Sequence, residues 1–289
     1  MSDSPVLVLG ARGKTGRRVV ARLDRLGRPV RAASRSGGTR FDFADRGTWG
    51  PALDGVGAVY LVPMSEAVPA ATVEEFLAAV ARAGVRRVVL LSARGAGGAA
   101  DPYQEPVELA LRATGLEWTI LRPAWFAQNF SEDLFLEPIL SGELALPAGE
   151  GREAFVDVED IADVATAALV QDGHAGEIYE LSGPEPVSFR TALEMISEAS
   201  GRRIRYTALE TSRFTAALTA QGVPPEAADL VAELLGRIRD GAGERVGDGV
   251  RRALGRDPRP FADYVKTAAA AGAWNPIVSV RPDPYEETR

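Results

Sequence analysis

Val6-Leu7-Val8-Leu9-Gly10-Ala11-Arg12-Gly13-Lys14-Thr15-Gly16 decides the fold. Four uncharged apolar residues run straight into three glycines spaced three apart. Val19, Val20, Leu23 and Leu26 then recur along one helical face. The pattern predicts a buried strand, a tight turn and a helix N-terminus. Such a turn brings backbone N–H groups close to a phosphate, and the positive end of the helix dipole favours the anion. Gly10 permits the turn, Gly13 the close approach, and Gly16 the packing of helix on strand. The triplet Gly13-Lys14-Thr15 also suggests the phosphate loop of an NTPase. That loop needs a glycine five residues before Gly13, where this chain has Val8.

Outward from this turn, strands and helices alternate. The second strand, Pro29 to Ala33, ends in Ser34-Arg35-Ser36. A site for NAD(H) places an acidic residue here to hold the ribose hydroxyls. None occurs between Arg31 and Ser36. Arg35 can instead fork onto a 2′-phosphate, helped by Ser34 or Ser36 and by Arg12 from the glycine turn. The expected cofactor is therefore NADP(H). Thr39 to Phe43 reads as a third strand, with Asp42 near the adenine. A fourth, Gly57 to Val62, ends in Pro63-Met64. Thr72 reads as the cap of a helix carrying Val73, Phe76, Leu77 and Val80. Arg87 to Leu91 ends in Ser92-Ala93. After a helix from Glu105 to Thr114, Glu117 to Leu121 runs into Arg122-Pro123-Ala124.

The alternation implies an α/β fold with a doubly wound parallel sheet, which binds ligands beyond the carboxyl ends of its strands. Gly10, Arg12, Gly13, Lys14, Thr15, Gly16, Ser34, Arg35, Asp42, Val62, Pro63, Met64, Ser92, Pro123, Ala124 and Phe126 all fall there as candidate cofactor contacts. Trp125, Phe130 and Phe135 follow the sixth strand and are candidate substrate contacts. Asp157 and Asp160 look like catalytic carboxylates in isolation, but capping a helix is the preferred role. Glu177 to Leu181 is a further strand. Beyond it Ser188 caps a helix stopped by Gly201, Arg203 to Thr207 forms a short strand, and Pro224-Pro225 opens another helix. The last helix holds Phe261, Tyr264 and Val265. This mostly helical C-terminal segment is expected to roof the ligand edge of the sheet.

Composition narrows the chemistry. The 289 residues are 46% apolar and 25% charged, ordinary for a soluble globular protein. There is no cysteine, which excludes disulfides and thiolate chemistry. The single histidine, His174, sits in a Gly-rich stretch and reads as a solvated loop residue. No metal site is expected. The formal charge of −7 argues against nucleic-acid binding. With no apolar run of spanning length and no leader pattern, the expectation is a cytoplasmic protein with a small-molecule substrate. The oligomeric state is open, with a homodimer as the candidate assembly.

Taken together, Gly10 to Gly16, Ala33-Ser34-Arg35-Ser36, Val89 to Ala93, Leu121 to Phe130 and Val158 to Ala162 resemble the NmrA-like group of atypical short-chain dehydrogenase/reductases. The C-terminal half, through Gly222-Val223-Pro224 and Gly255 to Tyr264, resembles the agroclavine and festuclavine reductases of ergot-alkaloid synthesis. The resemblance implies a Rossmann domain over residues 1–130 and 153–181, with a substrate-binding lid from 131–152 and 182–289. It also implies use of NADP(H) in hydride transfer. The wider superfamily pairs a catalytic tyrosine with a lysine four residues later. This chain has two lysines, Lys14 and Lys266, preceded at that spacing by Gly10 and Ala262, so the pair is absent. Tyr103 lies near the expected position with Val107 where the lysine would stand, and a phenol without a neighbouring cation is a reluctant acid. Tyr103 and Ser92 remain candidates for handling the substrate. The missing lysine favours imine, iminium or quinone-like acceptors over simple ketones. A non-catalytic NADP(H) sensor is the alternative.

Overall fold

A computed structural model describes residues 4–63, 68–95 and 104–275. Met64 and Tyr103 lie outside these residues. In chain order, β1 (Val6–Leu9), α1 (Lys14–Arg25), β2 (Val30–Ser34) and the short β3 (Thr39–Arg40) come first. A single 3-10 turn and α2 (Trp49–Leu53) precede β4 (Ala58–Leu61). The alternation continues through α3 (Ala70–Arg82), β5 (Arg87–Leu91), α4 (Gln104–Arg112) and β6 (Glu117–Pro123). The chain then leaves the sheet through α5 (Asn129–Glu132), α6 (Leu136–Leu140), β7 (Glu143–Leu146) and β8 (Arg152–Glu153). It returns with α7 (Val158–Val170) and β9 (Glu177–Leu181). It leaves again through β10 (Val187–Ser188), α8 (Phe189–Ser200), β11 (Arg205–Ala208), α9 (Thr211–Ala220), α10 (Pro225–Arg239), α11 (Gly249–Leu254) and α12 (Phe261–Ala270).

Among the described residues, seven strands form one sheet in the order β3-β2-β1-β4-β5-β6-β9, and every pairing is parallel. This is the expected doubly wound α/β sheet. Strand order reverses between β1 and β4, which opens a crevice at their carboxyl ends. The apolar runs of β1, β4 and β5 are fully buried because helices cover both faces. The period of two sorts their side chains. Val6, Val8, Tyr60, Val89 and Leu91 point under α1 and α7, against Val19, Leu23, Ile161 and Ala165. Leu7, Leu9, Val59, Leu61 and Leu90 point the other way, against Phe76, Leu77 and Val80 of α3 and Leu111 of α4.

The segments outside the sheet share a third apolar cluster, centred on Phe130, Phe135, Phe155 and Phe189. Two small ladders stiffen it. β7 pairs in parallel with β11, and β8 pairs antiparallel with β10. The expected strand at 203–207 is shifted slightly, to Arg205–Ala208. Its partner β7 was not expected at all, because Glu143-Leu144-Ala145-Leu146 is too short to show a period. The expected third strand is reduced to Thr39–Arg40, since Asp42 folds back to accept from the Ala44 N–H at 3.0 Å. Thr72 does not cap α3. The helix starts at Ala70, and the Thr72 N–H already donates to the Pro69 carbonyl.

Candidate functional site

The glycine turn is built as its spacing implies. Gly10 has φ +62°, a conformation natural to glycine. The Gly13 N–H donates to the Gly10 carbonyl at 2.8 Å, closing the turn. A Cβ at Gly16 would stand 2.2 Å from that same carbonyl oxygen, so α1 packs against the turn only if residue 16 has no side chain. Gly13 is the N-cap of α1 and offers no side-chain acceptor, so the positive helix end is available to an anion.

A cavity of about 910 Å³ runs from this turn across the carboxyl ends of β1, β2 and β4. Gly10, Arg12, Gly13, Lys14 and Thr15 form one wall. Ser34, Arg35 and Asp42 bound one end, Val62 and Pro63 the opposite side, and Phe126 the far end. Arg12 donates to Ser36 Oγ at 2.9 Å, which holds it near the end of β2, where Arg35 also lines the groove and a 2′-phosphate would lie. Phe41, Phe43 and Thr72 also line this groove and were not foreseen. Gly16 sits behind the turn, not on the groove surface.

A second cavity of about 300 Å³ adjoins the first, and Lys14 and Phe126 line both. Ser92, Pro123, Ala124 and Trp125 come from the ends of β5 and β6. Leu234, Arg237 and Ile238 of α10 form its roof, with Ala242 and Gly243 beyond. The Lys14 ammonium is held between Asn129 Oδ1 at 2.7 Å and Asp133 Oδ2 at 2.8 Å. It stands 6.0 Å from the centre of the Phe126 ring.

Several assignments need correction. Phe130 and Phe135 do not reach this cavity. Both are fully buried, and Phe130 packs edge-on against Phe135, Phe155 and Phe261. Trp125 alone of the three candidate aromatics lines this cavity, stacked on Phe135 at 6.1 Å. Ser92 lies beside the cavity, but its one hydroxyl proton is given to Glu108 Oε1 at 2.5 Å. Glu108 is buried and also receives Arg122, at 3.0 and 2.5 Å. Ser92 is thus part of a closed network and not a free donor. His174 is not solvated. It is buried, with Nδ1 2.9 Å from the Tyr179 hydroxyl. Asp157 caps α7 by accepting from the Glu159 N–H at 2.8 Å, and Gln128 also donates to it. Asp160 is fully buried against Arg256 and Arg259, away from both cavities.

The sequence reading missed Arg94, Glu153, Asn129 and Arg237. Arg94 Nη2 donates to Glu153 Oε1 at 2.5 Å on the wall of the second cavity, and Arg94 also reaches the Arg245 carbonyl. Burial pushes the Glu153 carboxyl up, to about 7, against the pull of Arg94 and of the Trp125 and Ala154 N–H groups. Arg94 stands two residues past Ser92, so the end of β5 was a usable signal. Nothing local marks Glu153 or Arg237. Among the described residues no group of three or more acidic or histidine side chains is placed to hold a metal. No helix there is long and apolar enough to cross a membrane.

A family model described as NAD(P)H-binding matches residues 10–172. The chain is 35% identical over 283 residues to the uncharacterized oxidoreductase YesF of Bacillus subtilis, covering 95% of this chain and 98% of that one. It is 30% identical over 284 residues to agroclavine dehydrogenase of Claviceps fusiformis, covering 90% and 96%. That likeness spans nearly the whole chain, not only the C-terminal half. The NADPH-dependent quinone oxidoreductase QOR2 of Escherichia coli, complexed with NADPH, shares the fold with a TM-score of 0.78 at 22% identity, over 91% of this chain and 99% of that chain.

Proposed function

The chain belongs to the NAD(P)H-binding family, and on that premise we propose that it is an NADPH-dependent reductase delivering hydride to a small conjugated or cyclic acceptor, imine or quinone-like. One observation carries the reading. The dinucleotide groove opens at Lys14 and Phe126 into a second, roofed cavity of about 300 Å³, large enough for a compact ring system. The lack of a Cβ at Gly16, the uncapped end of α1 and the two arginines at the end of β2 fit a phosphorylated dinucleotide.

When bound, NADPH supplies the hydride. This chain supplies the rest. Arg12 and Arg35 would hold the 2′-phosphate, a contact that NADH cannot make. Trp125 and Phe126 would wall the acceptor, with Leu234, Arg237 and Ile238 of α10 covering one side of it. The Lys14 ammonium, fixed by Asn129 and Asp133, provides a positive charge at the meeting point of the two cavities. Negative charge developing on a conjugated oxygen gains from a donor that is already oriented. Ser92, with its proton given to Glu108, acts by holding the end of β5 in place.

The test is oxidation of NADPH and NADH by the pure protein against quinones, azo compounds and cyclic imines. NADPH is expected to be used in preference, and Arg35→Ala should reduce that preference by at least about tenfold, the worth of a charged hydrogen bond. Equal use of both cofactors would remove the NADP(H) assignment. No turnover on the whole panel, with NADP⁺ and NADPH bound at sharply different affinity, would replace the reductase with a sensor.

A further inference from the structure

We propose that the second cavity selects acceptors carrying a negatively charged substituent, and that Arg237 on α10 is the residue that reads it. The proposal rests on the reductase reading and narrows its substrate class. Among the described residues, four charged side chains line the cavity: Lys14, Arg94, Arg237 and Glu153. Glu153 is only 3% exposed and is neutralised by Arg94 at 2.5 Å. Two cations are left without a compensating carboxylate inside the cavity. Their own partners lie elsewhere. Asp133, which holds Lys14, lines the dinucleotide groove and is 66% exposed. Glu233, which holds Arg237, sits one helical turn back, is not part of the lining and is 59% exposed.

Cations thus outnumber carboxylates three to one among the described lining residues, in a molecule whose formal charge is −7. Local placement of cations, not overall composition, sets the field an acceptor meets. An iminium cation would enter a positive enclosure with no free carboxylate to receive it. A conjugated carbonyl bearing a carboxylate, sulfonate or phosphate would meet complementary charge.

Arg237 is the group able to rearrange. Its pair with Glu233 is an exposed i,i+4 contact, of a kind that holds weakly. A carboxylate or sulfonate at the cavity can offer the guanidinium two oxygens in the geometry it prefers. Arg94 cannot do this, because Glu153 and the Arg245 carbonyl already occupy it. Lys14 lies at the cofactor end, where the reacting carbon must sit. The substituent therefore points away from the cofactor, toward α10.

The experiment compares 1,4-naphthoquinone with its 2-sulfonate, plus an N-methyl cyclic iminium salt, using NADPH and the full chain. The two quinones differ in intrinsic reactivity, so the readout is how their ratio of kcat/KM changes on substitution. Arg237→Glu is expected to shift that ratio against the sulfonate by at least about tenfold, mainly through KM, and Arg237→Lys to restore part of it. Rising salt should weaken the sulfonate's advantage. A ratio unmoved by Arg237→Glu, or faster reduction of the iminium than of either quinone, overturns the proposal while leaving the reductase reading intact. A second measurement does not depend on turnover. Naphthalene-2-sulfonate should bind the protein–NADP⁺ complex in calorimetry and lose at least about tenfold in affinity with Arg237→Glu. Absence of binding to the unsubstituted protein also overturns it. Failure of every acceptor, with the sulfonate still bound through Arg237, would sink the reductase and keep the anion site.

Discussion

At His174 the Nδ1 atom and the Tyr179 hydroxyl share a buried hydrogen bond of 2.9 Å, and the His174 carbonyl accepts from Thr119 at 2.8 Å. Burial, and then the charge of Arg87, push the imidazole below its ordinary pKa, with Glu177 opposing. The unfolded chain therefore binds a proton that the folded chain resists. The folded state gains nothing from this group above the unfolded value of 6.5. It loses stability as pH falls below that value, until the depressed folded pKa is passed. Urea midpoints taken across this range should fall toward acid, and His174→Gln should flatten that part of the profile. An unchanged slope would mean that other groups carry it. Gly176 and Gly173 around the histidine look like a loop signature, and they do form one. Exposure was misjudged because the ring folds back under β9, which no neighbour in sequence reports. Gly10 and Gly16 are the opposite case. Their roles depend on residues within six positions, so spacing alone conveyed them.

Among the elements, α8 shows a complete set of local signals. Ser188 caps it by accepting from the Thr191 N–H at 3.0 Å, and Gly201 ends it at φ +68°. Leu193 and Ile196 face the lid core in between. Ser188→Ala should cost about 1 kcal/mol in chemical denaturation, and Ser188→Gly only a few tenths. If both variants match the parent, the cap contributes nothing. The helices and long strands were legible in this way because each carries its own start, period and stop. The short strands β7, β8 and β10 were not. With two to four residues apiece they carry no period, and only the partner strand defines them. Glu153, on β8, was missed for the same reason.

At the scale of the whole molecule, the C-terminal segment is tied to the helices that cover the sheet by charge as well as by packing. Asp160 of α7 is fully buried. It accepts from Arg256 Nη2 and from the Arg259 N–H, both at 2.7 Å, and from the Arg259 guanidinium. Asp163 joins the same two arginines to Arg22 of α1. The segment before α12 is thereby fastened to the layer that carries the glycine turn. Asp160→Asn removes the charge and leaves two arginines beside a closed core. Asp160 is fully buried, but both arginines are 37% exposed and keep Asp163, so a loss of about 2 kcal/mol is expected in the unfolding free energy, less than when a fully buried pair is broken. A loss below about 1 kcal/mol would show that the arginines are solvated well enough without it.

The nucleotide-binding half was largely determined by sequence alone. A parallel sheet buried on both faces needs continuous apolar runs, and a phosphate turn needs glycines at set spacing. Both requirements are met within short stretches of chain. The second cavity was decided only by the tertiary structure. Its walls come from residues as far apart as Lys14, Arg94, Glu153 and Arg237, brought together when α10 settles over the ends of β5 and β6. Whether an aromatic fills a core or faces a ligand depends on what covers it. Trp125 and Phe130 are five residues apart on one stretch, yet one lines the cavity and the other is sealed among phenylalanines from α8 and α12. Burial is a relation between distant surfaces, and composition and periodicity describe only one of them.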